Sequence, residues 1–149
     1  MRWHEEERSK DGKLRHRANG LAWKDFDRVH PDFTQDCRSV RLGLSSDGFN
    51  PFRTMSILHS TCPVMLMDYK LSPWMCMKSE YSILSLLITG PRPPGNDIDI
   101  YLQPLIHKLK LLSDSGVETY DASKNETFQM RAALMWTISD FPAYAMLSG

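Results

Sequence analysis

One stretch constrains this chain more than any other. Val40, Leu42 and Leu44 alternate with Arg41, Gly43 and Ser45 and run directly into Ser46-Asp47-Gly48. Apolar residues at every second position fit a half-buried strand, because successive strand side chains point to opposite faces. Ser46-Asp47-Gly48 reads as a turn closing that strand, with Gly48 able to take positive φ. The pattern thus predicts a strand carrying an acid, Asp47, at its carboxyl end.

The neighbouring patterns extend the prediction. Pro63–Met67 and Tyr81–Ile88 read as a second and a third strand, and Gly90-Pro91-Arg92-Pro93-Pro94-Gly95 as a loop outside regular structure. Asn96 or Asp97 is placed to cap a helix whose apolar face is Ile98, Leu102, Leu105, Ile106, Leu109 and Leu112, and Gly116 to stop it. Pro104 either kinks that helix or marks where its regular part begins. Phe128 to Ile138 suits a helix through Met130, Ala133, Leu134 and Ile138, or a buried strand over Leu134–Ile138; we adopt the strand. Asp114 and Asp121 fall in expected turns, and Asp97 and Asp99 at a helix start, where negative charge complements the dipole. Residues 1–38 are polar and charge-mixed, with a short amphipathic helix expected near 21–30 from Trp23, Phe26 and Val29 and ended by His30-Pro31. The basic run Arg8, Lys10, Lys13, Arg15, Arg17 reads as a solvated face.

Composition narrows the function classes. The chain has 149 residues, room for one domain with a core, and Lys+Arg 18 balances Asp+Glu 18, so overall charge names no nucleic-acid partner. Its first residues lack the apolar region of a signal peptide, and no run of about 18 apolar residues occurs. Cys37, Cys62 and Cys76 are odd in number and widely spaced, which argues against a disulfide framework and for a reducing compartment. His59-x-x-Cys62 with Cys76 fails zinc-ligand spacing, and no P-loop, Gly-x-Gly-x-x-Gly or Gly-x-Ser-x-Gly is present. Methionines such as Met65, Met67, Met75 and Met77 read as core filler, and His107 as an exposed helix residue.

The order is then strand, strand, strand, helix, strand: a three-strand antiparallel meander, a crossover helix and a fourth, parallel strand. If the fourth strand lies beside the first, Asp47 and Asp140 come together at the carboxyl edge of the sheet, about one strand spacing of ~4.8 Å apart. Two such carboxylates stay ionised only if something neutralises them, and Mg²⁺ does so while keeping open positions for water and phosphate. Paired ions of that kind assist cleavage or transfer of a phosphodiester strand.

Several segments resemble transposases of plant CACTA-type (En/Spm-class) DNA transposons. They include Met1-Arg2-Trp3-His4, Lys10-Asp11-Gly12-Lys13-Leu14-Arg15-His16 and His30-Pro31-Asp32-Phe33. The most specific is Val40-Arg41-Leu42-Gly43-Leu44-Ser45-Ser46-Asp47-Gly48-Phe49-Asn50-Pro51-Phe52. Asp99-Ile100-Tyr101-Leu102-Gln103-Pro104-Leu105, Gly116-Val117-Glu118-Thr119-Tyr120-Asp121-Ala122 and Asp140-Phe141-Pro142-Ala143-Tyr144 complete the set. The resemblance implies an α/β, ribonuclease-H-like core of the DDE/D type over residues 39–149. It implies action on transposon-end DNA in the nucleus with Mg²⁺ or Mn²⁺. Asp47 and Asp140 carry over as its first and second catalytic, metal-binding acids.

Departures from the family pattern qualify this. Ala145 and Met146 stand where the family continues Gly-Asn, and Asp68-Tyr69-Lys70-Leu71-Ser72-Pro73-Trp74 carries an acid and less proline. No residue before Gly149 is assigned as the third acid, and the family's Cys-Pro-x-Cys segment is not reached. The expectation is a fragment of a transposase with an incomplete fold, catalytically inactive as this chain. The alternative is a non-catalytic remnant that binds DNA weakly or pairs with a full-length transposase; self-association or such pairing is the protein partnership expected. A fourth strand left as an edge would also make the isolated chain marginal or insoluble.

Overall fold

The computed structural model describes residue 11 and residues 13–52 and 58–138. Helix α1, Leu21–Val29, and the single-turn helix α2, Pro31–Thr34, lead into strand β1, Val40–Ser46. Then come β2, Ser60–Asp68, β3, Ser82–Gly90, helix α3, Ile98–Asp114, a hairpin of β4, Val117–Asp121, and β5, Glu126–Met130, and finally β6, Ala132–Ile138.

Four strands form one mixed sheet in the order β3-β2-β1-β6. β2 is antiparallel to both β1 and β3, and β6 is parallel to β1 with Val40 opposite Ala132 and Ser45 opposite Ile138. The meander, the crossover helix and the parallel return are therefore present. The parallel register slips once, between Leu42 and Gly43, where the partners jump from Leu134 to Trp136.

The helical stripe explains one face of the sheet. Ile98, Leu102 and Leu109 are buried, with Leu105 and Leu112 packed beside them, against Val40, Leu42, Leu44, Val64, Leu66 and Ile88. Each fully buried aliphatic side chain contributes roughly 1.5–3 kcal/mol. Pro104 lies inside the helix, which runs through it. Proline removes one i→i−4 bond, leaving the Ile100 carbonyl to solvent on an exposed face of the helix. Asp97 occupies the N-cap position, but its side chain makes no capping hydrogen bond, contrary to expectation. Gly116 stops the helix at φ +70°, and a Cβ there would lie 2.8 Å from the Met130 carbonyl oxygen.

The alternation in β1 misleads about the other face. Arg41 and Gly43 are as buried as the leucines between them. A second cluster, Ala18, Trp23, Met67, Tyr69 and Cys76 with Leu71, Trp136 and Ile138, covers this side. Trp23 stacks on Trp136 at 6.1 Å, and Tyr69 meets Trp136 edge-on at 5.2 Å. Gly43 is required under this lid, because a Cβ would fall 2.3 Å from Tyr69 Cε2. The Arg41 guanidinium lies 4.3 Å from the Trp23 ring centroid and bonds the Asp27 carboxylate. Arg17, expected on a solvated face, instead sits 4.4 Å from the Tyr69 ring centroid. Desolvated cation–π contacts of this kind reach about 2 kcal/mol, and they hold the polar N-terminal stretch to the sheet.

Other expectations are corrected. The hairpin is an element that the strand–helix–strand order omitted, and Phe128 lies in β5; the last sheet strand runs over Ala132–Ile138, two residues longer at its start than the expected Leu134–Ile138. Asp121 ends β4 and Asp114 ends α3, neither in an isolated turn. Gly90 closes β3 and Gly95 opens a 3₁₀ turn, so the proline-rich stretch is framed by regular structure. Val29 holds an apolar position of its helix yet is exposed.

Candidate functional site

Asp47 directly follows β1, an inner strand of the sheet flanked by β2 and β6. The residue before it, Ser46, is buried, and its Oγ lies 3.2 Å from Cys62 Sγ on β2. That contact fixes the strand end from which Asp47 emerges. Asp47 itself is exposed. By alternation it falls on the face of Arg41, Gly43 and Ser45.

Ser46-Asp47-Gly48 is not a tight turn. Ser46 belongs to the strand, Gly48 is not among the positive-φ glycines, and the chain stays paired as far as Phe49. Phe49 N–H donates to the Thr61 carbonyl at 2.9 Å, and Thr61 N–H donates back at 2.8 Å. The chain bends only afterwards, where Phe52 N–H donates to Asn50 Oδ1 at 3.0 Å and the Phe52 ring meets His59 edge-on. The run of extended backbone keeps Asp47 at the carboxyl end of the sheet.

The second expected acid, Asp140, lies outside the described residues, as do the Met1-Arg2-Trp3-His4 and Asp140-Phe141-Pro142-Ala143-Tyr144 segments. The strand that leads to it is described. Ser45 pairs with Ile138 in parallel, and in sequence Asp47 stands as far beyond Ser45 as Asp140 stands beyond Ile138. Among the described residues, no group of three or more His, Cys, Asp or Glu side chains is arranged to hold a metal. Cys37 is half-buried, Cys62 and Cys76 are buried, and all three are free thiols. No described helix is long and apolar enough to cross a membrane.

Away from Asp47 the structure gathers polar groups that the sequence did not flag. Lys70 is fully buried just after β2, and its Nζ has no hydrogen-bond partner among the described residues. Burial, helped by repulsion from Arg41, pushes its ammonium down to about 8, while Cys37, Asp68 and Asp36 act in the opposite direction. Asp68 is buried too, which pushes its carboxyl up, although it accepts the Lys70 N–H at 2.8 Å. Burial likewise raises the Tyr69 phenol and the Cys76 thiol.

Arg38 forms a second hub. It reaches Asp36 at 2.6 Å, Asp121 at 3.1 Å and Glu126 at 2.7 Å, and its guanidinium lies 3.8 Å from the Phe128 ring centroid. The bond to Arg38 holds the Asp36 carboxyl below its usual range. This hub clamps the β4–β5 hairpin to the segment before β1. Nothing in the local sequence could reveal it, since Arg38 and Asp121 are 83 positions apart.

A mixed α/β protein with an exposed acid at the carboxyl end of an inner strand, beside a parallel partner strand, defines the class. Residues 11–149 match the transposase family tnp2, and the chain belongs to that family. No curated protein and no solved structure gives a significant match. Family membership carries DNA binding at the general level.

Proposed function

We propose that this chain is part of the catalytic region of a CACTA-type (En/Spm-class) DNA transposase. Its sheet is the first half of a ribonuclease-H-like core, in which Asp47 and Asp140 are the first two acids of a DDE/D set. The observation that carries this reading is the parallel β1–β6 pair, whose last pair among the described residues is Ser45 opposite Ile138, at equal sequence distance from the two acids. The donor chemistry of Asp47 fits a hard cation: it offers carboxylate oxygen, faces solvent, and makes no ion pair among the described residues.

Asp47 and Asp140 would hold Mg²⁺ or Mn²⁺ at the transposon end. Once bound, such an ion supplies Lewis acidity and an activated water to a phosphodiester. The work of this chain is to hold the first acid. The Ser46–Cys62 contact and the Phe49–Thr61 pair fix its backbone on either side, and its side chain is exposed. Two acids form an incomplete set, so cleavage is not expected from this chain by itself. Its working place is the nucleus, where the DNA lies. The second reading, a non-catalytic remnant that touches DNA weakly or pairs with full-length transposase, is favoured by the zero net charge, because phosphate neutralisation needs surplus Lys and Arg.

The test is Mn²⁺ binding followed by electron paramagnetic resonance. The chain should bind Mn²⁺, and Asp47→Asn and Asp140→Asn should each weaken binding about 10–100-fold, no less than losing an outer-shell partner costs. Binding unchanged in both variants refutes the shared site and leaves the remnant reading.

A further inference from the structure

We propose that the segment after β1 is a stacking platform for DNA, on which Phe49 and Phe52 hold unpaired bases of a single strand beside the phosphodiester at Asp47. The inference rests on the metal reading of Asp47 and names how the substrate of that site is held. Both phenylalanines are 52% exposed, although each is tied into the structure. Phe49 exchanges both backbone hydrogen bonds with Thr61, at 2.9 and 2.8 Å. Ser46 pairs with Val64 and Phe49 with Thr61, three steps along each strand, so the β1–β2 register runs unbroken past the end of β1.

An unbroken register keeps the alternation of side chains, which puts Asp47 and Phe49 on one face. Two strand residues advance the chain by about 6.8 Å. Phe52 lies beyond the bend, where its N–H donates to Asn50 Oδ1 at 3.0 Å. Its ring meets the His59 ring edge-on at 5.4 Å, and His59 stands two residues further out along the chain than Thr61. The carboxylate and the two rings therefore follow one another outward from the carboxyl end of the sheet.

The place and the charge choose the occupant. Family membership brings DNA to the chain, and the nucleotides that reach these rings are those flanking the bond at Asp47. In a duplex, neighbouring base pairs cover the faces of each base, whereas an unpaired strand offers them. Stacking on an aromatic ring tolerates any base, because every base has a π-face. It also needs no surplus of positive charge, which suits a chain whose Lys+Arg 18 equals Asp+Glu 18.

Fluorescence anisotropy tests this with the whole chain, in EDTA, and a short labelled DNA strand. The strand should bind more tightly than its duplex, and more tightly than an abasic strand of equal length, which keeps every phosphate and lacks the bases. Phe49→Leu and Phe52→Leu keep apolar bulk and lose the π-face. Each should weaken strand binding about tenfold or more and leave abasic binding unchanged. Phe52→Trp should retain strand binding, and Leu84→Ala, at an exposed position on β3, should change nothing. Asp47→Asn removes a negative charge and should not weaken the strand in EDTA, while both leucine variants should keep Mn²⁺ binding. Strand binding that ignores both leucine variants, equal affinity for the abasic strand, or no strand binding at all overturns the platform, whether or not Mn²⁺ binds. Strand binding that depends on both rings in a chain that binds no Mn²⁺ refutes the metal reading alone and supports the platform.

Discussion

Lys70 offers the sharpest test of the energetics. Its ammonium is fully buried without a hydrogen-bond partner among the described residues, and its pKa falls from 10.5 to about 8, chiefly through burial. A lowered folded-state value means that the unfolded chain binds more protons between about pH 8 and 10.5, so stability rises with pH across that window. A shift of roughly 2.5 units at 1.36 kcal/mol each puts the cost of the charged form at about 3 kcal/mol near pH 7. At pH 9.5 the same linkage leaves about 1–1.5 kcal/mol.

Replacing Lys70 by Met keeps the unbranched stem, one heavy atom shorter, and removes the charge. Lys70→Met should therefore be more stable than the parent at pH 7 by about 1–3 kcal/mol, the lower figure allowing for the lost support to Asp68. The difference should shrink as pH rises to 9.5. Tyr69 and Cys76, whose raised values lower stability as alkali is added, cancel when variant and parent are compared at each pH. Urea unfolding followed by the fluorescence of the buried Trp23 and its stacking partner Trp136 measures this directly. If Lys70 instead served as the indispensable partner of Asp68, the variant would lose about 3–5 kcal/mol, as when one half of a buried ion pair is removed. A destabilised Lys70→Met, or a gap that does not close with pH, refutes the reasoning.

Gly43→Ala puts a methyl 2.3 Å from Tyr69 Cε2 and should cost about 1–3 kcal/mol, with a weakened near-ultraviolet aromatic signal as the readout. Arg38→Met should free the β4–β5 hairpin from Asp36, and hydrogen exchange should quicken over residues 117–130 while β1 and β2 keep their protection. An unchanged hairpin would mean that Gln129, which donates to the Ser115 carbonyl at 2.7 Å, suffices to dock it.

Local periodicity was enough to read much of the scaffold. A period-2 run located β1, short apolar runs located β2 and β3, the spacing Ile98-Leu102-Leu105-Ile106-Leu109-Leu112 located α3, although Ile106 turns out exposed, and Gly116 marked its end. These signals are short-range, because a strand or helix that must bury one face declares it within a few residues. From the order of those elements a parallel return of the last strand also followed, since a crossover helix leaves few alternatives, but its place beside β1 stayed a condition until the structure supplied it.

Tertiary structure alone decided the rest. Arg41 reads as a solvent-facing residue until α1 and α2 are laid over it, and its burial depends on Trp23 and Asp27. Gly43 looks like a blemish in a strand until Tyr69 is placed upon it. Lys70 and Asp68 carry no local sign that both will be enclosed, and Arg38 finds Asp121 across most of the chain. Alternation tells which residues share a face, but only packing from distant segments tells whether that face is wet or dry. The dielectric around a charge, and with it the charge's cost and chemistry, is therefore a property of the assembled fold.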